Sequence, residues 1–82
     1  TMLEKLKSAK KVVGIKQLTK ALKEGRAAKV FIAADAEARV TRPIEQLCQS
    51  MSVPMETASS MEELGRACSI EVGAAAAAIL RE

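Results

Sequence analysis

The feature that most constrains this chain is a regular change of hydrophobic period, because period decides whether a segment buries itself as helix or strand. Short apolar runs stand at Val12-Val13, at 28–34 (AKVFIAA) and at 53–57 (VPMET). Between them, apolar residues recur three and four apart. Leu18, Ala21 and Leu22 share one face of a helix expected from Lys16 to about Glu24, which Gly25 ends. Ile44, Leu47, Cys48 and Met51 follow the i, i+3, i+4, i+7 pattern, and Pro43 suits the first turn of that helix. Ser60-Met61-Glu62-Glu63 fits a capping box opening a further helix that carries Leu64 and Cys68. Leu3 to Lys11 reads as a short helix ahead of the first strand. Alternating strands and helices across short loops predict a sheet with helices on both faces.

The closing segment GAAAAAILRE tests that expectation. Alanine is the best helix former, so local propensity favours helix. A strand in the middle of a covered sheet has no polar face, however, and small side chains let helices approach closely. Context therefore predicts a strand. There is no internal repeat, and the alanine run is too short to be a low-complexity linker.

At 82 residues the chain has room for one core. Thr1 precedes a methionine that reads as a natural initiator, so the single domain is expected over residues 2–82. No apolar run approaches the roughly 18–20 residues that span a bilayer, and no signal-peptide pattern is present. Cys48 and Cys68 sit at apolar helical positions in a chain without histidine. Two cysteines are too few for a disulfide framework or a metal site, so buried reduced thiols and a cytoplasmic setting are expected.

Charge is distributed unevenly. Residues 1–29 hold nine Lys/Arg against Glu4 and Glu24, whereas the remainder is acidic, for a net +3 overall. Lys16, Lys20 and Lys23 fall on one helical face opposite Leu18 and Leu22, giving a basic stripe. Such a stripe is either a solvated face or a contact for polyanions.

Catalysis is poorly provided for. Without histidine or tyrosine, acid–base work would fall to Lys, Glu or the sole aspartate, Asp35. Glu62 and Glu63 point about 100° apart on a helix and suit its first turn. No phosphate-binding glycine loop occurs, and no metal or cofactor is expected. Stacking on aromatics, the usual mode of reading single strands, is excluded because Phe31 is the only aromatic residue and belongs to an apolar strand. An RNA partner would have to be read by side-chain hydrogen bonds to base edges and by phosphate charge.

The hinge between the first strand and its helix carries suitable groups. Lys16 and Gln17 stand where a helix normally places a capping residue and acids. Gly14-Ile15-Lys16-Gln17-Leu18-Thr19-Lys20 resembles the signature G-T-N-E-x-x-K of the kink-turn-binding ribosomal proteins, the family named after the archaeal large-subunit protein seven-Ae. VFIAAD resembles that family's strand ending in A-x-D. MEELGRACSIEVGAAAAAI is similar to its ending E-L-G-x-A-x-x-I-E-V-x-A-A-A-x-A-I. The Lys-Gln pair and the short length look closest to its bacterial YbxF-type members.

The resemblance implies an α/β fold, a three-layer α–β–α sandwich around a mixed four-stranded sheet. It also implies a monomeric, non-catalytic protein whose partner is structured RNA containing a kink-turn, in rRNA of the ribosome or in a riboswitch. A kink-turn is an internal loop with tandem sheared G·A pairs beside a sharp bend. Lys16 and Gln17 would read the guanines after the turn at Gly14 and Ile15, and Lys20 would contact phosphate. Ile70, Glu71 and Val72 would pack against the extruded nucleotide. Three positions differ: Ile15 stands for threonine, Gln17 for glutamate, and Ala38 for a proline common after the A-x-D loop. Membrane and DNA partners are not expected. The rival reading is a protein-interaction module that docks a partner through Ile70–Val72.

Overall fold

The computed structural model describes Leu6 and residues 9–81. The elements are β1 (Lys11–Val13), α1 (Ile15–Lys23), β2 (Ala27–Ala33), α2 (Ala38–Met51), β3 (Met55–Ala58), α3 (Met61–Ala67) and β4 (Ala76–Leu80). The four strands lie in the order β1-β4-β2-β3. β4 runs antiparallel to both neighbours, while β2 and β3 are parallel.

Side-chain alternation along the two central strands builds the layers. Val30 and Ile32 of β2 join Ala76 and Ala78 of β4 on one face, packed with Leu18 and Leu22 of α1 and Ile44 and Cys48 of α2. Phe31 and Ala33 join Ala77 on the other face, packed with Leu64, Ala67, Cys68 and Leu6. The result is an α–β–α sandwich around a mixed sheet. The alanine run is its centre: Ala76, Ala77 and Ala78 are all fully buried. Burial between two helical layers overrides their helical propensity, because strand pairing satisfies their backbone on both sides.

Several boundaries differ from expectation. The helix expected to open at Pro43 begins five residues earlier, at Ala38, and holds Pro43 inside it. The missing proline N–H leaves the Arg39 carbonyl without its helical partner, but both residues are exposed and water can hydrate it. Burial of Thr41 helps hold the extra turn down. The third strand starts at Met55 rather than Val53. The Val53 N–H donates to the Cys48 carbonyl at the end of α2, and the Pro54 carbonyl accepts from Val30 N–H. The helix expected over Leu3–Lys11 lies largely outside the described residues; its last residue, Lys11, begins β1.

Each helix closes in the same way. The N–H two residues past the C-cap returns to a carbonyl five back: Arg26 to Ala21, Val53 to Cys48, and Ile70 to Gly65. This is the Schellman arrangement, which needs a left-handed residue just after the helix. Gly25 supplies it for α1, but Ser52 (φ 56°) and Ser69 (φ 62°) supply it for α2 and α3. The two cysteines are free and buried on opposite faces of the sheet, so they cannot pair.

Candidate nucleic-acid interface

Because β1, β2 and β3 run one way and β4 the other, the helix N-termini gather at one end of the sheet together with the loop leading into β4. Val13 pairs with Ala77. The Gly14 N–H donates to the Ala76 carbonyl at 3.0 Å, and Ala33 N–H donates to Ala75 at 2.9 Å. These bonds bring the hinge at Gly14–Gln17 and the start of β4 to the same end, where the Ala74 N–H, donating to the Met61 carbonyl at 3.0 Å, ties the loop that follows Ile70–Val72 to the first residue of α3.

Gly14 makes the hinge. Its φ of 95° and ψ of 155° form a backbone conformation essentially confined to glycine, although open space surrounds the position of a Cβ. The chain turns there from β1 into α1, whose first turn has neither a side-chain cap nor an acid. A helix start leaves N–H groups unbonded and partially positive, a setting that attracts anions. Ile15 is half-buried against the cluster under α1, so its side chain anchors the helix while its backbone faces the end. Thr19 Oγ1 donates to the Ile15 carbonyl at 2.7 Å. Lys16, Gln17 and Lys20 are exposed. Lys16 and Lys20 make no ion pair among the described residues, so their charge is uncompensated.

The facing loop is held by a close approach. A Cβ on Gly65 in α3 would lie 2.1 Å from the Val72 carbonyl oxygen, so only glycine lets the loop rest on that helix. Ile70 packs against the core below α3, Glu71 is exposed, and Val72 is 72% exposed. Ile70 is thus the loop's anchor and Val72 its presented apolar group.

Asp35, first of interest as the only aspartate, has a structural task that the sequence does not announce. Its Oδ1 accepts from the Met61 N–H at 2.7 Å and so caps α3 from a loop 26 residues away. The expected capping box is half formed: Ser60 Oγ accepts from Glu63 N–H at 3.0 Å, but the Glu63 carboxylate accepts from the Ser59 hydroxyl instead. A concavity of about 550 Å³ lies beside these residues, lined by Asp35, Met61, Arg66, Glu71 and Val72 among others. Among the described residues no group of His, Cys, Asp and Glu is placed to hold a metal ion.

Comparison with known proteins gives the family. The profile of the Ribosomal protein L7Ae/L30e/S12e/Gadd45 family matches residues 1–82. The chain belongs to this family. Among its members, "RNA-binding protein GK0100" of Geobacillus kaustophilus is 46% identical over 76 residues, covering 93% of both chains. "RNA-binding protein YbxF" of Geobacillus stearothermophilus is 45% identical over the same span. The solved structure of a Giardia lamblia 15.5kD RNA binding protein superimposes with a TM-score of 0.89 at 29% identity, over 99% of this chain and 72% of that one. Family membership therefore rests on the whole chain rather than on the hinge motif alone.

Proposed function

We propose that this protein is a non-catalytic, monomeric, cytoplasmic RNA-binding domain that recognises kink-turns and holds them bent. The observation that carries the reading is the uncapped, acid-free start of α1, which presents Lys16, Gln17 and Lys20 beside the loop Ile70–Val72. Lys16 is a donor only and suits guanine O6 and N7; Gln17 offers both an acceptor and a donor, enough for a guanine edge. Lys20, one turn further on, reaches backbone phosphate, with the helix start adding its own partial charge. Val72 supplies an apolar surface for an extruded base, with Ile70 and Glu71 shaping the loop. Binding selects the bent state from the RNA's ensemble. rRNA and riboswitches are the structured RNAs in which such a domain would act.

Gln17→Ala is expected to cost about 1–3 kcal/mol on targets with G·A pairs and almost nothing on a plain duplex. Lys20→Ala should weaken binding to both and lower the slope of log K against log salt by about one. Calorimetric titrations at two salt concentrations read both effects. Equal losses on the two RNAs for Gln17→Ala would contradict the assignment.

The exposure of Val72 also favours a second reading, in which the loop docks a protein. Because Ile70 packs against the core, Val72→Asp is the cleaner probe. A partner that survives RNase treatment but is lost with Val72→Asp would support this reading over the first.

A further inference from the structure

The end of the sheet opposite the hinge carries a second group of cations. β1, β4 and β2 are neighbours, and their ends there are tied by two hydrogen bonds. The Leu80 N–H donates to the Lys10 carbonyl at 2.9 Å, and the Arg81 N–H donates to the Arg26 carbonyl at 2.7 Å. Arg26 and Arg81 are therefore opposite one another, and Lys10, opposite Leu80, is one residue out of step on the third chain, all three at the same end of the sheet. All three are exposed. Lys23, exposed in the last turn of α1, reaches the same end through the tight turn at Glu24-Gly25.

Among the described residues, one of these four cations has an ion-pair partner. Glu24, the C-cap of α1, pairs with Arg26 at 2.9 Å, and both are exposed. Lys10, Lys23 and Arg81 make no ion pair among the described residues. Three cations without an ion pair among the described residues, with Arg26 beside them, suit the closely spaced phosphates of a nucleic-acid backbone. It offers no groups placed to read bases. The stripe Lys16, Lys20 and Lys23 on α1 runs from the hinge end towards it.

We infer that Lys10, Lys23, Arg26 and Arg81 form a second, sequence-independent contact for the phosphate backbone of an RNA duplex. The protein then holds two RNA segments at once, one at each end of its sheet. This requires an RNA partner but not the kink-turn reading of the hinge.

The test uses a labelled plain RNA duplex without G·A pairs, followed by fluorescence anisotropy at low and physiological salt. Two double variants are compared with the parent: Lys10→Glu with Arg81→Glu, and Lys16→Glu with Lys20→Glu. The first pair is expected to lose at least tenfold in duplex affinity and to flatten the salt dependence, while the hinge pair loses less. Milder Lys10→Gln with Arg81→Gln should show the same direction, and matching melting curves exclude unfolding. Kink-turn affinity, measured separately, judges the hinge reading without touching this one. Duplex binding unchanged by both far-end pairs would overturn the inference. So would tighter binding to phosphatidylserine vesicles than to duplex, lost with the same far-end residues, because a membrane surface would then be the partner.

Discussion

At the residue scale, the hinge turns on whether an amide can serve where the family signature has a carboxylate. Gln17→Glu would supply a charge-assisted acceptor for guanine N–H groups, but also repulsion from nearby phosphate. With Lys16 and Lys20 unpaired on either side, the attraction should dominate, and kink-turn affinity is expected to rise about three- to tenfold. A fall in affinity on titration would show that the phosphates lie closer than this geometry allows. The left-handed serines give a stability prediction. Ser69→Gly removes the Cβ penalty at φ 62° and is expected to stabilise by about 0.5–1 kcal/mol, seen as a higher urea midpoint. The buried thiols give a pH dependence. Burial pushes both the Cys48 and Cys68 thiols above their ordinary value of 9.0, helped at Cys48 by Glu45 and opposed at Cys68 by Lys11. The folded chain thus holds these protons more tightly than the unfolded one. Their contribution is complete below pH 9.0 and is lost as pH rises through the folded values, so melting temperature should fall above pH 9. A Cys48→Ala, Cys68→Ala variant should have a flatter profile there, at lower overall stability.

At the element scale, legibility followed the strength of each local signal. The strand in GAAAAAILRE was legible because alternation of the preceding elements left a sheet needing a central strand. Gly25 and Ser60 marked helix ends by their chemistry. What was hidden depended on distant partners. Nothing next to Asp35 says that it caps α3, and nothing next to Gly65 says that a loop carbonyl will lie against it. Pro43 misled because its preference for a first turn is strong, whereas the true first turn is held by tertiary burial of Thr41. That turn can be improved. Ala38 is the first helical residue of α2, and Glu37 before it has φ −64° and ψ 136°, the extended conformation that precedes proline. Ala38→Pro is therefore expected to stabilise the fold by about 0.4–1 kcal/mol, measured by denaturant unfolding. Gly65→Ala acts in the opposite sense. It must push the Val72 carbonyl away, so it should weaken kink-turn binding more than its loss of stability explains.

At the scale of the whole molecule, strand directions gather the groups proposed to read RNA at one end. Three strands deliver three helix starts to that end, and the antiparallel β4 begins there, so the loop leading into it closes at the same end. The family resemblance implied that the hinge and the closing loop act together on one RNA; the pairing of Val13 with Ala77 shows how the strands bring their two segments to one end. The charge asymmetry would add affinity without specificity, so on the proposed reading discrimination belongs to the hinge and loop together. The central claim is therefore about discrimination. One calorimetric comparison tests it most directly: the unaltered protein titrated into a kink-turn RNA and into the same strand lengths with both G·A pairs replaced by Watson–Crick pairs, at physiological salt. The account predicts tighter binding to the kink-turn by about 1–3 kcal/mol for each G·A pair lost. Equal affinity for the two RNAs would contradict it.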